Sequence, residues 1–119
     1  MGTSYLPDRV IDLKAIPMKI SIVQFAPVLG QIEQNIALLS ERFNDAWDSD
    51  LVVLPELAST GYLFADKQEA MACAEPVNDS RFIDFLETIA DTYDCHIVAG
   101  FNERQGDTLY NSSILVAPT

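Results

Sequence analysis

An α/β fold with a mostly parallel sheet is the fold class that this sequence predicts. Short runs of β-branched and apolar residues alternate with segments whose apolar residues recur every three or four positions. Strands that alternate with helices imply crossovers between parallel strands and a sheet covered by helices. The last two strand-like runs are separated only by a short turn, which implies a hairpin. We expect the order β-α-β-loop-α-β-β, with about four strands and two main helices.

The first half of the predicted fold is a strand, a helix and a second strand. Residues 19–25 (KISIVQF) are rich in β-branched residues and are followed by Ala26 and a proline, as expected for a strand. A helix is predicted after Gly30 because apolar residues recur there at spacings of three and four. Its apolar stripe consists of Ile32, Ile36, Leu39, Phe43 and Ala46/Trp47. Residues 48–50 end this helix, and residues 51–54 form the second strand.

The second half begins with an irregular polar segment and ends in the hairpin. Residues 70–74 of the irregular segment are compatible with a short helical piece. Asp79 or Ser80 caps the main helix of this half. Its stripe consists of Phe82, Phe85, Leu86, Ile89, Ala90 and Tyr93. Residues 96–101 and 110–117 are the third and fourth strands, joined by a turn that contains glycine.

The composition is that of a globular protein with an acidic surface. The 119 residues fit one domain, and 49% of them are hydrophobic and 21% charged. Lys and Arg number 7 against 18 Asp and Glu, which gives a formal net charge of −11. A field of that sign repels phosphate backbones and anionic lipids, so we expect neither nucleic acid nor a membrane as a partner.

Residues 1–17 differ from the rest of the chain. They contain two prolines and mixed charge and show no clear period. We therefore expect an N-terminal extension, or a leader added for expression, before a domain at residues 18–119, with Met18 as the natural start. No secretory signal is apparent in this extension, and no apolar run approaches the length of a membrane span. We therefore predict a cytoplasmic protein in which Cys73 and Cys95 are reduced thiols.

Several common functional motifs are missing from the sequence. Neither glycine-rich phosphate-binding motif is present. The single histidine, His96, follows Cys95, and neighbouring strand residues point to opposite faces, so the two are a poor nucleophile–base pair. One histidine and no C-x-x-C motif make a zinc site improbable. We interpret Cys73 and Cys95 as small core residues.

Glu56 is the candidate reactive group that the strand pattern itself suggests. In open α/β sheets, reactive groups collect beyond the carboxyl ends of the strands, and Glu56 lies at such an end. Pro55 lacks a backbone donor, so we expect it to end the pairing of the strand and to stiffen the attachment of Glu56. The alternative is a solvated loop carboxylate, and position alone favours that alternative.

Five blocks of sequence together resemble the N-terminal part of the nitrilase, or carbon–nitrogen hydrolase, superfamily. They are MKISIVQFAPVLG at 18–30, Asn35, LVVLPELASTGY at 51–62, IVAGFNER at 97–104 and LYNSSILV at 109–116. The resemblance covers residues 18–119. It implies an α-β-β-α sandwich that is incomplete in this chain, and members of the family usually pair through one helical face.

The resemblance also implies a chemistry. Family members cleave non-peptide C–N bonds in amides, nitriles and N-carbamoyl compounds, without a metal or an organic cofactor, through a Glu–Lys–Cys triad. Glu56 matches the glutamate, a general base for the thiol and then for water. We expect its carboxylate to be partly desolvated. Tyr62 matches a position that lines or supports the pocket, and the alternative is a buried aromatic. Asn111 and Phe101 are interpreted as structural, through a turn-and-sheet hydrogen bond and core filling.

The chain departs from the family pattern because it ends before the matching lysine and cysteine. Its lysines are Lys14, Lys19 and Lys67, and none has the family context. We therefore predict that this chain alone is inactive, and that an apolar edge and face of its sheet are uncovered. A homo-oligomer or a complementing C-terminal half would cover them. A small amide is the favoured substrate of the complete enzyme, ahead of a nitrile.

Two other functions remain open at this point. One is a non-catalytic half-fold that acts as an assembly or interaction module. The other is an unrelated, flavodoxin-like binding domain, against which the missing phosphate loop and the order of the family blocks both count.

Overall fold

The computed structural model describes residues 17–44 and 47–119. The predicted extension, apart from its last residue, and Ala46 of the predicted helical stripe therefore lie outside the described residues. The elements follow one another in the order β1 (Ile20–Ile22), α1 (Ile32–Ser40), β2 (Leu51–Val53), α2 (Lys67–Cys73), α3 (Arg81–Tyr93), β3 (His96–Gln105) and β4 (Thr108–Val116).

The four strands form one sheet in the order β1-β2-β3-β4. β1, β2 and β3 are parallel neighbours, and β4 is antiparallel to β3. The predicted α/β class and the terminal hairpin are thus confirmed. The hairpin is longer than predicted, since β3 continues past residue 101 and β4 begins at Thr108. Gly106 permits the tight turn between them, because its φ of 60° lies in the left-handed region.

Side chains cap the N-termini of α2 and α3. The side chain of Ser80 accepts a hydrogen bond from the backbone of Ile83 and caps α3, which ends at Asp94 in a left-handed conformation with φ 51°. Asp66 caps α2 in the same way, by accepting from Glu69. Within the described part of the chain, no helix is long and apolar enough to cross a bilayer.

The hydrophobic core lies between one face of the sheet and the helices α1 and α3. On this face the register aligns Ser21, Val52, Ile97 and Val116. The helices contribute the buried residues Ile32, Leu39, Phe82, Leu86, Ile89 and Ala90. Phe101 is fully buried, and its ring stacks on that of Phe82 with a centroid distance of 6.5 Å, which confirms the predicted core-filling role of Phe101.

The opposite face of the sheet is largely uncovered, and we call it the open face. The register aligns across it the apolar row Ile22, Val53, Val98 and Leu115. Ile22 is 71% exposed and Leu115 is 65% exposed. α2 covers only the far end of β3, where the side-chain amide of Asn102 donates to the carbonyl of Ala70 at 3.1 Å. The expectation of an uncovered apolar face therefore holds for the described residues, since α1 and α3 pack on the other face and α2 reaches only one end of this one.

Candidate active site

The backbone around Glu56 continues the pairing of β2 with β3 beyond the end of the strand. The amide of Gly100 donates to the carbonyl of Pro55 at 3.0 Å, and the amide of Ala58 donates to the carbonyl of Gly100 at 3.1 Å. The prediction that Pro55 ends the pairing is therefore wrong, because proline lacks only the donor and its carbonyl still accepts. The two bonds to Gly100 bracket Glu56 and Leu57.

Gly100 is also the point at which the two backbones approach each other most closely. A Cβ atom at this position would lie 2.3 Å from the nitrogen of Leu57 and 2.6 Å from the Cα of Glu56. Real Cβ contacts are not that short, so any other residue would push Glu56 away from β3. Leu57 has a φ of 45°, a left-handed conformation that a leucine adopts only when its surroundings enforce it.

The carboxylate of Glu56 is held from β4. The side-chain amide of Asn111 donates to Oε1 of Glu56 at 2.7 Å. Glu56 is nevertheless exposed, so the partial desolvation expected from the sequence is not found in this chain. Asn111, Ser113 and Leu115 alternate onto one face of β4, and Leu115 belongs to the open face. The carboxylate thus lies at one end of the open face.

The loop that follows Glu56 is fixed by Asn35 of α1, which is fully buried. The side-chain oxygen of Asn35 accepts from the amide of Val28 at 2.7 Å, and its nitrogen donates to the carbonyls of Val28 and Ser59, both at 2.9 Å. The amide of Gly30 also donates to the carbonyl of Thr60 at 2.8 Å. The segment between β1 and α1 is therefore hydrogen-bonded to the loop after Glu56, directly through Gly30 and indirectly through Asn35.

The open face also bears a wide groove of about 930 Å³. Leu51, Val98 and Leu115 contribute apolar surface to it, and Glu56 is not among its lining residues. In the part of the chain that the structure describes, no group of three or more His, Cys, Asp or Glu side chains could hold a metal ion.

Comparison with known proteins identifies the family. The family model described as "Carbon-nitrogen hydrolase" matches residues 19–119. The chain belongs to the carbon–nitrogen hydrolase family. The resemblance drawn from the five sequence blocks is thus confirmed.

Relatives of this carbon–nitrogen hydrolase chain include proteins named nitrilase and proteins named amidase. A nitrilase of Pyrococcus abyssi is 34% identical over 103 residues, which cover 85% of this chain and 39% of the relative. A protein N-terminal amidase of Schizosaccharomyces pombe is 34% identical over 111 residues, with the same shares of 85% and 39%. The chain thus spans about two fifths of the length of these relatives.

Solved structures of family members have the same fold over the matched region. A crystal structure of an N-terminal amidase superimposes with a TM-score of 0.73 at 25% identity, over 85% of this chain and 25% of that one. A CN-hydrolase superfamily protein from Xanthomonas campestris gives a TM-score of 0.69 at 25% identity, over 85% of this chain and 37% of that one. The nitrilase-type fold class predicted from the sequence is confirmed.

Tyr62 is 63% exposed in this carbon–nitrogen hydrolase chain. The alternative interpretation of Tyr62 as a buried aromatic is therefore wrong. Its neighbour Leu63 is also exposed, so this end of the loop presents apolar surface. A role of Tyr62 in lining or supporting a pocket stays a prediction.

The described lysines form no ion pair with Glu56. Lys19 is exposed and forms an ion pair with Asp48, whose hydrogen bond and charge raise the pKa of the Lys19 ammonium. Lys67 is exposed at the first turn of α2, as expected for a solvated surface residue. Lys14 lies outside the described residues. Neither described lysine is hydrogen-bonded to Glu56.

The two cysteines are not activated thiols. Cys95 is fully buried, and burial raises the pKa of its thiol. Burial also raises the pKa of Cys73, which is partly buried and whose thiol lies within hydrogen-bonding distance of the carbonyls of Glu69 and Ala70. A thiol with a raised pKa is a poor nucleophile at neutral pH. The prediction of small core residues is therefore confirmed for Cys95 and wrong for Cys73, which lies outside the hydrophobic core.

Gly100 and Leu57 are site residues that the sequence analysis missed. A glycine inside a strand is a known signal of close backbone approach, so Gly100 within IVAGFNER could have been noticed. The partner of Asn111 was predicted to lie within a turn and sheet. Its side chain instead binds Glu56, which lies 55 residues earlier in the chain.

Proposed function

We propose that this chain is part of a carbon–nitrogen hydrolase of the amidase type, in which Glu56 is the general base. The observation that carries the proposal is the double attachment of Glu56, through Gly100 on its backbone and Asn111 on its carboxylate. A solvated loop carboxylate needs neither attachment. Family membership and the relatives named amidase and nitrilase support the same assignment.

In the proposed mechanism, Glu56 takes the proton of a cysteine thiol that attacks the carbonyl carbon of an amide. The proton then passes to the departing amine as the tetrahedral intermediate collapses to a thioester. Glu56 next accepts a proton from water, whose oxygen attacks the thioester. As the acid is released, Glu56 returns that proton to the cysteine sulfur, which regenerates the thiol and the carboxylate. A lysine stabilises the oxyanion of each tetrahedral intermediate.

This mechanism needs a lysine and a cysteine that the described chain does not bring to Glu56. We therefore propose that the 119-residue chain alone is inactive and that further polypeptide supplies both groups. The open face, with the exposed side chains of Ile22 and Leu115, is the surface against which such a polypeptide would pack. Packing there would also remove water from Glu56.

The proposed substrate is a small amide. The relatives named as amidases include the protein N-terminal amidase of Schizosaccharomyces pombe and an (R)-stereoselective amidase of a Pseudomonas species. The matches cover 39% and 36% of these two relatives, respectively. The preference of this chain for amides is therefore part of the proposal. A nitrile is the second substrate class to be assayed.

A chimera tests this function. Residues 18–119 would replace the matching part of the Schizosaccharomyces pombe amidase, and ammonia release would be measured on a panel of small amides and nitriles. We expect amide hydrolysis, and a loss of about 10²- to 10⁴-fold in kcat for Glu56→Gln. Glu103→Gln is the matched control, because Glu103 is a hairpin carboxylate bound by the Ser112 hydroxyl.

Two outcomes of this experiment would contradict the proposal. Full activity of the Glu56→Gln chimera would refute the role of Glu56 as base. A folded chimera that hydrolyses no amide on the panel would refute the amidase assignment. Turnover by the unfused chain would separately contradict its predicted inactivity.

The exposed apolar row of the open face also favours a second function, a non-catalytic assembly module. Size-exclusion chromatography with light scattering distinguishes the two functions when it is combined with the amide assay. A stable homo-oligomer whose chimera has no Glu56-dependent activity would favour the module. Glu56-dependent hydrolysis by the chimera would favour the enzyme.

A further inference from the structure

We propose that Asn111 is a positioning residue that fixes the direction of the Glu56 carboxylate, and that Gly100 brings Glu56 within its reach. The inference rests on the proposed function in one respect, namely that Glu56 is a base. The β3–β4 hairpin then has a second role besides sheet formation, which is to position Glu56. The hairpin attaches Glu56 at two points, its backbone at Gly100 and its carboxylate at Asn111.

The close backbone contact at Glu56 is possible because Gly100 has no side chain. The main chain of Glu56 and Leu57 occupies the space that a Cβ of residue 100 would need. The bonds from the Gly100 amide to Pro55 and from the Ala58 amide to Gly100 hold this arrangement from both sides. The backbone of Glu56 is therefore held at a fixed position next to β3.

The side-chain attachment comes from the register of the hairpin. Gly100 pairs with Ser113, and Asn102 pairs with Asn111, so Asn111 lies on the face of β4 that is shared with Ser113. The Asn111 amide is then in place to donate to Oε1 of Glu56 at 2.7 Å. A glutamate has several rotatable bonds, and this donor restricts them without a charge of its own.

The chemistry of the donor suits a base. An amide N–H does not ionise near neutral pH, so it orients the carboxylate and takes no part in proton exchange. It occupies one carboxylate oxygen, and among the described residues none donates to the other. That second oxygen is left to accept a proton, as a general base requires.

A purely structural role for Asn111 predicts a different result. Asn111 and Glu56 are both exposed, and their hydrogen bond adds little to folding stability. Loss of this bond should leave the urea midpoint of unfolding almost unchanged and should free the side chain of Glu56. A structural residue would instead lower the midpoint and leave the Glu56 rotamers as they were.

The test measures the rotamers of Glu56 in the full chain by NMR, through side-chain scalar couplings and carbon relaxation. Asn111→Asp keeps the shape of the side chain and replaces its donor by a second carboxylate, and Asn111→Ala removes the donor outright. We expect one dominant Glu56 rotamer in the unmodified chain and averaged couplings in both variants. Ser113→Ala, on the same face of β4, is the control and should leave the couplings unchanged.

Gly100→Ala provides a second perturbation, with Ser113→Ala again as its control, since Ser113 is the hairpin partner of Gly100. We expect Gly100→Ala to shift the NMR signal of the Asn111 side-chain amide toward that of a free amide, and Ser113→Ala to leave this signal unchanged. If Gly100→Ala does not fold, the two Asn111 variants decide the proposal. Unchanged Glu56 couplings in both Asn111 variants would overturn it.

The amide-hydrolysing chimera separates this inference from the proposed function. Asn111→Ala should lower kcat about 10- to 100-fold with little change in KM, because displacement of a reacting group weakens the chemical step more than binding. Loss of activity in Glu56→Gln with full activity in Asn111→Ala would refute the positioning role alone. Full activity in both variants would refute both proposals.

Discussion

Replacement of Asn35 by alanine should destabilise the whole chain more than any other single polar change near the site. Asn35 is fully buried in α1 and holds three backbone groups at once. They are the amide and the carbonyl of Val28 and the carbonyl of Ser59. Asn35→Ala would leave all three groups without this partner.

The magnitude follows from those three bonds. A buried hydrogen bond contributes about 0.5–1.5 kcal/mol net, so loss of the three removes about 1.5–4.5 kcal/mol. Alanine is the better helix former, which returns about 0.5 kcal/mol. We expect a net loss of about 1–4 kcal/mol in the free energy of unfolding. This is a large share of the roughly 5–15 kcal/mol typical of a domain.

Urea unfolding followed by circular dichroism measures this loss directly. The midpoint should fall and the slope should stay the same, because the surface exposed on unfolding hardly changes. Gln34→Ala is the matched control, since Gln34 is the exposed neighbour of Asn35 in α1 and should change stability by less than about 0.5 kcal/mol. Equal midpoints for the two variants would refute the argument that the Asn35 bonds clamp the site loop.

Three further predictions concern other parts of the chain. Glu75 is buried before α3 and accepts from the Ser80 hydroxyl at 2.8 Å, so Glu75→Gln should lower the free energy of unfolding by about 1–3 kcal/mol in the same urea assay. Leu115→Lys should change stability by less than about 0.5 kcal/mol and reduce self-association in size-exclusion chromatography, because it places charge on the open face. Burial raises the pKa of Cys73 and Cys95, so iodoacetamide should alkylate the native chain at pH 8 more slowly than a free thiol, and faster as pH rises. Rapid alkylation at pH 8 would contradict this last prediction.

The order of the elements could be predicted from the sequence because hydrophobic periodicity reports which side chains are buried. It reports helix ends less well. The stripe of α1 continues to Phe43 and Trp47, whereas the helix ends at Ser40. Phe43 nevertheless packs on Trp47 with a ring-centroid distance of 4.6 Å. The pattern was therefore correct about burial and wrong about the length of the helix.

A local signal for α2 was present in the sequence and was not used. Asp66 accepts from the amide of Glu69, and the Glu69 carboxylate accepts from the amide of Ala65. This arrangement resembles a capping box, whose spacing can be recognised in the sequence. It places the start of the helix at Lys67, ahead of the predicted residue 70.

The candidate site, like the fold, could be predicted from the sequence only in part. The place of Glu56 just beyond a strand could be predicted, because a strand end, a proline and a family motif coincide there. Its contacts with Gly100 and Asn111 could not, because each depends on how β3 and β4 pack against the loop after β2. Sequence patterns identify reactive groups more readily than the residues that orient them.

The exposed carboxylate of Glu56 lies on the same side of the sheet as the open apolar face. Asn111, which holds Glu56, shares its face of β4 with Leu115, so the carboxylate and the apolar row belong to one surface. A polypeptide that packs on Ile22 and Leu115 would therefore also exclude water near Glu56. Loss of water favours the protonated form of a carboxylate and makes its anion a stronger base. Under the proposed function, a polypeptide that packs on the open face would therefore also make Glu56 a more effective base.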